Sequence, residues 1–255
     1  MKKLASRIYL AIIFVILYAP IVVLMVYSFN NSKTSKWNGF TLKWYQELFQ
    51  SSLIMSALQT TLILALLSAT IATFLGVISC LGIQALKPRF RQIMMALNNI
   101  PMVNSELVTG LALMILFIAL RISAGFMTVL IAHITFCVPY VILSVMPRLK
   151  QSSKSTYEAA LDLGATPLRA FFKVVMPDLM PGILSGYMLA FTMSLDDFII
   201  THFTKGAGMN TLSTLIYSEL RRGVKPTINA LSTLMFLTVL IILLVMNRPK
   251  REAAK

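Results

Sequence analysis

Charge is scarce in this sequence. Asp, Glu, Lys and Arg together make up 13% of its 255 residues while 57% are hydrophobic, whereas a soluble domain carries about 25% charged residues. So little charge cannot coat a water-facing surface, which excludes a soluble enzyme; the mean hydropathy of +0.79 says the same. Cysteine is nearly missing. Cys80 and Cys137 both lie inside apolar blocks, so there is no disulfide framework or zinc site to read, and the redox compartment stays open. His133 and His202 stand alone, far apart in sequence, and read as packing or interfacial residues rather than ligands. The 16 Met form no repeating Met-x-x-Met array and read as adaptable packing rather than a copper path. No G-x-x-x-x-G-K-[ST] phosphate loop occurs, which excludes an ATP motor of that chemistry within the chain.

What the sequence has instead is long apolar runs. Six blocks stand out, at about 8–29, 53–86, 93–120, 126–146, 182–203 and 228–247. Runs of ~20 residues cross the hydrocarbon as helices, and the longer blocks must tilt, break or extend beyond it. The first block follows Lys2, Lys3 and Arg7 as in a signal peptide. It is longer than the roughly 7–15 residues of a signal core and lacks a small-x-small cleavage site, so it reads as a retained, insertion-directing helix. The expected fold is an all-α integral membrane protein of six transmembrane helices in one domain over 1–255.

Nine Asp+Glu against 23 Lys+Arg give a net charge of +14, and its placement explains it. With the N-terminus in the cytoplasm, Lys33, Lys36, Lys43, Arg121, Lys205, Arg221, Arg222 and Lys225 fall outside, eight against the fifteen inside. That asymmetry places both termini in the cytoplasm and accounts for the basic character without nucleic acid. Two connections are too long to be turns. The outer one, 30–52, carries Trp37, Phe40, Trp44 and Tyr45, read as interfacial anchors or else a docking surface.

The inner connection, 150–181, reads as a helical hairpin. Ser155-Thr156-Tyr157-Glu158 fits a capping box, and Gly164 suits a left-handed helix stop. Thr166 and Pro167 open a second helix that should end before Pro177. From local signals alone this is either a simple linker or a docking element. Glu158-Ala159-Ala160, three residues, Gly164, nine residues, Val174 and Met176-Pro177 together resemble the EAA loop of bacterial ABC importer permease subunits, which have Ile and Leu where this chain has Val174 and Met176. The resemblance implies the type I importer permease fold and a coupling helix that docks on a separate ATPase. Glu158, Ala159 and Ala160 would present the docking face, Gly164 would set the hairpin angle and Pro177 would redirect the chain to the membrane.

Three acids fall within the apolar blocks: Glu106, Asp196 and Asp197. An ionisable group at membrane depth costs about 2.5–3.5 kcal/mol, so it usually faces a bundle interior or an aqueous cavity. Counted along straight helices, Ile93 to Glu106 and Ile183 to Asp196 both rise about 20 Å, which would set the two acids at one level. Neither span offers a Lys or Arg to neutralise them. They are either protonated or hydrogen-bonded packing groups, or a site for a cationic solute. Asn98, Asn99, Pro101, Asn104 and Ser105 form a polar, helix-breaking run beside Glu106, tolerated at depth where it lines a cavity. Tyr140 and Phe191 could wall a cation path, though packing is the default.

Phe191-Thr192-Met193-Ser194-Leu195-Asp196-Asp197 resembles the fifth-span segment of spermidine/putrescine permeases, as do the stretches 38–45 and 133–139 their counterparts there. Where that family has a Ser-Pro-Asp-like run, this chain has Asn104-Ser105-Glu106. The resemblance implies a subunit of a bacterial plasma-membrane importer that moves polyamines inward along Asp196, Asp197, Glu106, Asn104 and Tyr140. The implied partners are a second homologous permease, a cytoplasmic ATPase dimer that hydrolyses the ATP, an extracytoplasmic polyamine-binding protein and the lipid bilayer. No cofactor or metal is expected on this chain. An importer for thiamine or an amino acid is the alternative. A membrane enzyme would need a nucleophile or metal constellation, and none is found. A proton-coupled carrier is disfavoured by the missing inverted repeat.

Overall fold

The computed structural model describes residues 2–32, 36–152, 154–223 and 226–246, with side chains over 6–32, 36–152, 155–223 and 226–241. Lys33, Lys225, the end of the sixth block at Asn247 and the basic residues from Arg248 onward lie outside the described residues. Among the described residues every extended element is helical, and the one β-bridge pairs Asn30 with Phe40. Four helical runs are long and apolar enough to cross a membrane: Ser6–Tyr27, Ser52–Ala85, Phe126–Gln151 and Pro167–Asp196. A fifth crossing is the bent pair Pro88–Val103 and Glu106–Ala119. The sixth block is helical as Pro226–Met246, and its apolar stretch with described side chains, Pro226–Ile241, is shorter than the ~20 residues of a full crossing.

The chain forms two compact units. The first joins residues 1–56 to 215–255. It holds α1 (Lys2–Tyr27), α2 (Lys43–Gln50), most of α11 (Leu212–Arg222) and α12 (Pro226–Met246), with α12 packed on α1 and α2. No side chain from 6 to 27 is buried, as an apolar helix with lipid as its solvent requires. The aromatics of the outer connection divide. Trp37 and Phe40 are exposed, but Trp44 is buried and its indole N–H donates to the Asn30 carbonyl at 2.7 Å. Trp44 is thus a packing residue of the loop, not the interfacial anchor its position suggested.

The second unit spans 57–214. Its centre is α6 (Phe126–Gln151) against α9 (Met176–Asp196), with α3 (Ser52–Ala85) on α6. Small residues let the backbones close, as packing without a hydrophobic drive requires. A Cβ on Gly76 would sit 2.6 Å from the Val141 side chain, and one on Gly186 would sit 3.3 Å from the Val141 backbone. Around this centre lie α4 (Pro88–Val103), α5 (Glu106–Ala119), α7 (Lys154–Asp162), α8 (Pro167–Ala170) and α10 (Ile199–Thr204).

Candidate functional site: two helix breaks and a buried histidine

Both spans that carry acids break at those acids. Pro101 lies within the last turn of α4, and Asn104 and Ser105 then adopt extended backbone with ψ near 145° and 144°. Short polar side chains favour this by bonding local amides, and the Ser105 hydroxyl accepts from the Val108 N–H at 3.3 Å to start α5 at Glu106. The two axes differ by 102°. This corrects the equal-depth expectation: the rise from Ile93 to Glu106 does not run along one axis, so residue counting cannot level Glu106 with Asp196. The fifth span breaks too. α9 ends at Asp196, Asp197 is extended (φ −57°, ψ 127°), and α10 follows; the continuous block expected over 182–203 is two helices.

Asp197, expected on the solute path, is instead turned inward. Its side chain is 4% exposed. One oxygen accepts the Ile200 N–H at 3.3 Å, and the other accepts the Thr201 N–H and the Thr201 hydroxyl, each at 2.8 Å. It therefore caps the first amides of α10, which have no partners within their own helix. The second oxygen also lies 3.4 Å from Nε2 of His133, a fully buried residue of α6. Nε2 is 2.9 Å from the Thr201 hydroxyl, and Nδ1 is 2.7 Å from the hydroxyl of Ser194 on α9. Ser68 of α3 donates to Ser194 at 2.8 Å. Sequence reasoning assigned His133 to packing and missed it as the counterpart of Asp197, because it looked for a neutralising group only within the two acid-bearing spans. The signal was present. An acid at membrane depth needs a partner, and His133 is the one histidine in the adjacent fourth block.

Asp196 and Glu106 behave differently. Both are exposed, and no ion pair to either occurs among the described residues. Both belong to the second unit. Asn104 is exposed and lines a surface hollow with Ala96, Asn99, Ile100 and Val103. Tyr140 is half-buried on α6, next to Pro139, whose carbonyl accepts from the Asn98 amide at 3.4 Å. Among the described residues no group of three or more His, Cys, Asp and Glu could hold a metal.

The inner connection is the expected hairpin with two differences. α7 closes in a Schellman motif: Gly164 has φ +86°, its N–H donates to the Leu161 carbonyl at 2.9 Å, and the Ala165 N–H donates to the Ala160 carbonyl at 3.1 Å. This left-handed position suits glycine. Thr166 caps α8 by accepting from the Arg169 N–H at 3.4 Å, with Pro167 first in the helix. Ser155, however, lies inside α7, which starts at Lys154, so it does not sit at the outer cap position of a capping box. Nor does the second helix stop before Pro177. It continues through a π-helical turn, Phe171–Val175, into α9, where Pro177 occupies the first turn. A proline there needs no N–H partner from the preceding turn. Glu158 and Ala159 are exposed, Ala160 is half-buried, and Leu163, Leu168 and Phe172 expose apolar side chains around the hairpin.

Residues 72–248 match the family model described as binding-protein-dependent transport system inner membrane component. The chain is 43% identical over 230 residues to the putrescine transport system permease protein PotI of Escherichia coli strain K12, covering 87% of this chain and 82% of that one. It is 34% identical over 248 residues to the spermidine/putrescine transport system permease protein PotC of the same strain, covering 97% and 94%. In fold it is similar to a chain of a bacterial ABC transporter involved in the import of the acidic polysaccharide alginate, with TM-score 0.76, 17% identity and 99% and 96% coverage.

Proposed function

The chain belongs to the binding-protein-dependent transport system inner membrane components, and on that premise we propose that it is the membrane-spanning permease of an ATP-driven ABC importer that carries spermidine and putrescine into the cytoplasm. One observation carries the choice of solute: Asp196 and Glu106 are exposed carboxylates at breaks in two apolar spans, with no ion pair to either among the described residues. α9 ends at Asp196, so its carbonyl end adds about half a negative charge where the carboxylate already sits. Half-helix ends at membrane depth hold cations in this way. A flexible polycation can meet Asp196 and Glu106 in turn, while Asn104 and Tyr140 offer polar and aromatic wall. Asp197 supports the site from behind rather than lining it. The relatives named for putrescine and spermidine, at 43% and 34% identity, support the same solute.

The finer assignments follow from this reading. The α7–α8 hairpin couples the spans to a cytoplasmic ATPase dimer through exposed Glu158 and Ala159, with Ala160 and Gly164 holding its shape and Pro177 at the entry to α9. ATP is hydrolysed by that partner, and this chain binds no cofactor. A second, homologous permease and an extracytoplasmic polyamine-binding protein complete the importer, and both termini are cytoplasmic. The test is ATP-driven uptake by the complex reconstituted with its partners. Putrescine and spermidine should accumulate, and thiamine and amino acids should not compete. Uptake of another solute in place of polyamines would overturn the reading, as would undiminished polyamine uptake in both Asp196→Asn and Glu106→Gln at equal expression.

A further inference from the structure

We propose that His133 is a positioning residue for transport: from α6 it holds the α9–α10 break so that Asp197 stays turned inward and Asp196 stays exposed. The inference rests on the solute-path reading of Asp196. Its basis is a chain of hydrogen bonds with a direction. The Thr201 hydroxyl gives its only proton to Asp197, so at 2.9 Å it must accept from His133 Nε2–H. Ser194 accepts from Ser68, so its own proton is free for His133 Nδ1 at 2.7 Å. An arrangement with hydrogen on Nε2 and a lone pair on Nδ1 is compatible with all four side chains. It ties α3, α6, α9 and α10 together at a single buried ring.

α6 also grips both sides of the break. The Thr128 hydroxyl donates to the Thr204 carbonyl at the end of α10 at 2.8 Å, and the Cys137 thiol contacts the Ala190 carbonyl of α9 at 3.5 Å. Thr128 and Cys137 contribute through backbone carbonyls, which any regular helix offers. Of these three α6 residues, it is His133 that reaches the side chain fixing the break. Adjacent residues of a chain project in different directions, so an inward Asp197 compels Asp196 to look elsewhere. α10 packs on α5 as well: a Cβ on Gly110 would meet Phe203 at 3.2 Å and Ile200 at 3.4 Å. Glu106 lies one turn before Gly110 on α5. Fixing α10 therefore fixes the placement of Asp196 relative to Glu106, though His133 touches neither.

The two nitrogens can be removed separately. Gln at 133 places an amide N–H near the Nε2 position and keeps the link to Thr201 and Asp197. Asn reaches only the Nδ1 position and keeps the link to Ser194. Leu keeps volume and neither link. The measurement is the rate at which a membrane-impermeant thiol reagent modifies Asp196→Cys in the assembled transporter, with the parent chain, whose Cys80 and Cys137 are buried, as background. Half-saturating polyamine is measured for each His133 variant in a chain that retains Asp196. His133→Leu and His133→Asn should slow labelling and raise the half-saturating polyamine concentration, each by about tenfold, the scale of one hydrogen bond to a charged group. His133→Gln should stay within about twofold of the parent on both readouts. Should the Leu variant fail to assemble, the Gln and Asn pair decides, and equal labelling rates in those two overturn the proposal. Labelling at the parent rate in all assembled variants overturns it as well. A parent Asp196→Cys that does not label at all overturns the solute-path reading and this inference with it, whereas a labelled parent with unchanged variants overturns the role of His133 alone.

Discussion

Asp196 and Asp197 differ by one position and should fail in different ways when each is made Asn. Asp197→Asn keeps shape but must put an amide N–H₂ where one carboxylate oxygen was. If the nitrogen takes the place of Oδ2, it faces the Thr201 N–H at 2.8 Å and His133 Nε2 at 3.4 Å, donor against donor. The cheaper flip puts it at Oδ1, where it strands only the Ile200 N–H, now bonded at 3.3 Å. Stranding that buried donor costs about 1–3 kcal/mol. The two 2.8 Å bonds from Thr201 survive without the ionic assistance that roughly doubles such bonds, a further loss of about 1 kcal/mol. The sum is about 3 kcal/mol, which for a chain of this size lowers the melting temperature by about 6–12 °C. Asp196→Asn removes an exposed charge with no ion pair to it among the described residues, so its stability should change by less than about 0.5 kcal/mol. The assay is thermal unfolding of the purified complex beside polyamine uptake at equal expression. Asp196→Asn should lose uptake at unchanged melting, and Asp197→Asn should lose both. Equal melting of Asp197→Asn and wild type would refute the account of the break.

Three further outcomes are expected. Gly164→Pro removes the N–H that donates to Leu161 and cannot hold φ +86°, and Glu158→Lys reverses an exposed charge on the hairpin; both should abolish solute-stimulated ATP hydrolysis while the spans remain inserted, and unchanged hydrolysis in both would count against coupling. Gly76→Ala would drive a Cβ to 2.6 Å from Val141, and should destabilise the complex by about 1–3 kcal/mol, read as a lower melting temperature with the membrane level unchanged. Cysteines placed in 155–178 should label from the cytoplasmic side and those in 38–51 or 205–222 from outside; the reverse pattern would overturn the charge-asymmetry topology.

How much was legible depended on how local the signal was. The apolar blocks were, because hydrophobic length alone decides them. The hairpin was, because Gly164, Thr166 and Pro167 act on their own backbone. The break before Glu106 was announced by Asn104 and Ser105, but its angle of 102° was not, since composition marks where a helix stops and not where the next one points. Pro177 misled because proline reads as a breaker, while its place after a π-helical turn makes it harmless. His133 was the costliest miss. Its partners Ser194 and Thr201 lie 61 and 68 residues away, beyond any periodicity, and only the demand that an inward acid find a partner could have named it.

Two adjacent acids at one break look redundant until the two helix ends are considered apart. Breaking a helix in an apolar span creates an amide end and a carbonyl end, and they have opposite needs. The amide end, at α10, takes a carboxylate as its natural cap, and Asp197, backed by His133, caps the Ile200 and Thr201 amides. The carbonyl end, at α9, would be served by a basic or amide side chain. It has Asp196 instead, whose exposed charge adds to the helix dipole at a cost of about 0.3 kcal/mol, the low end of such effects. Nothing in the packing gains from that choice, since Asp196 is exposed and the capping is already done one residue later. On the polyamine reading the cost has a use. An empty site with surplus negative potential attracts a passing ammonium, and a single carboxylate with a few carbonyls holds it too loosely to trap it. The inward acid builds the break, and the outward acid leaves it hungry for a cation that can also depart.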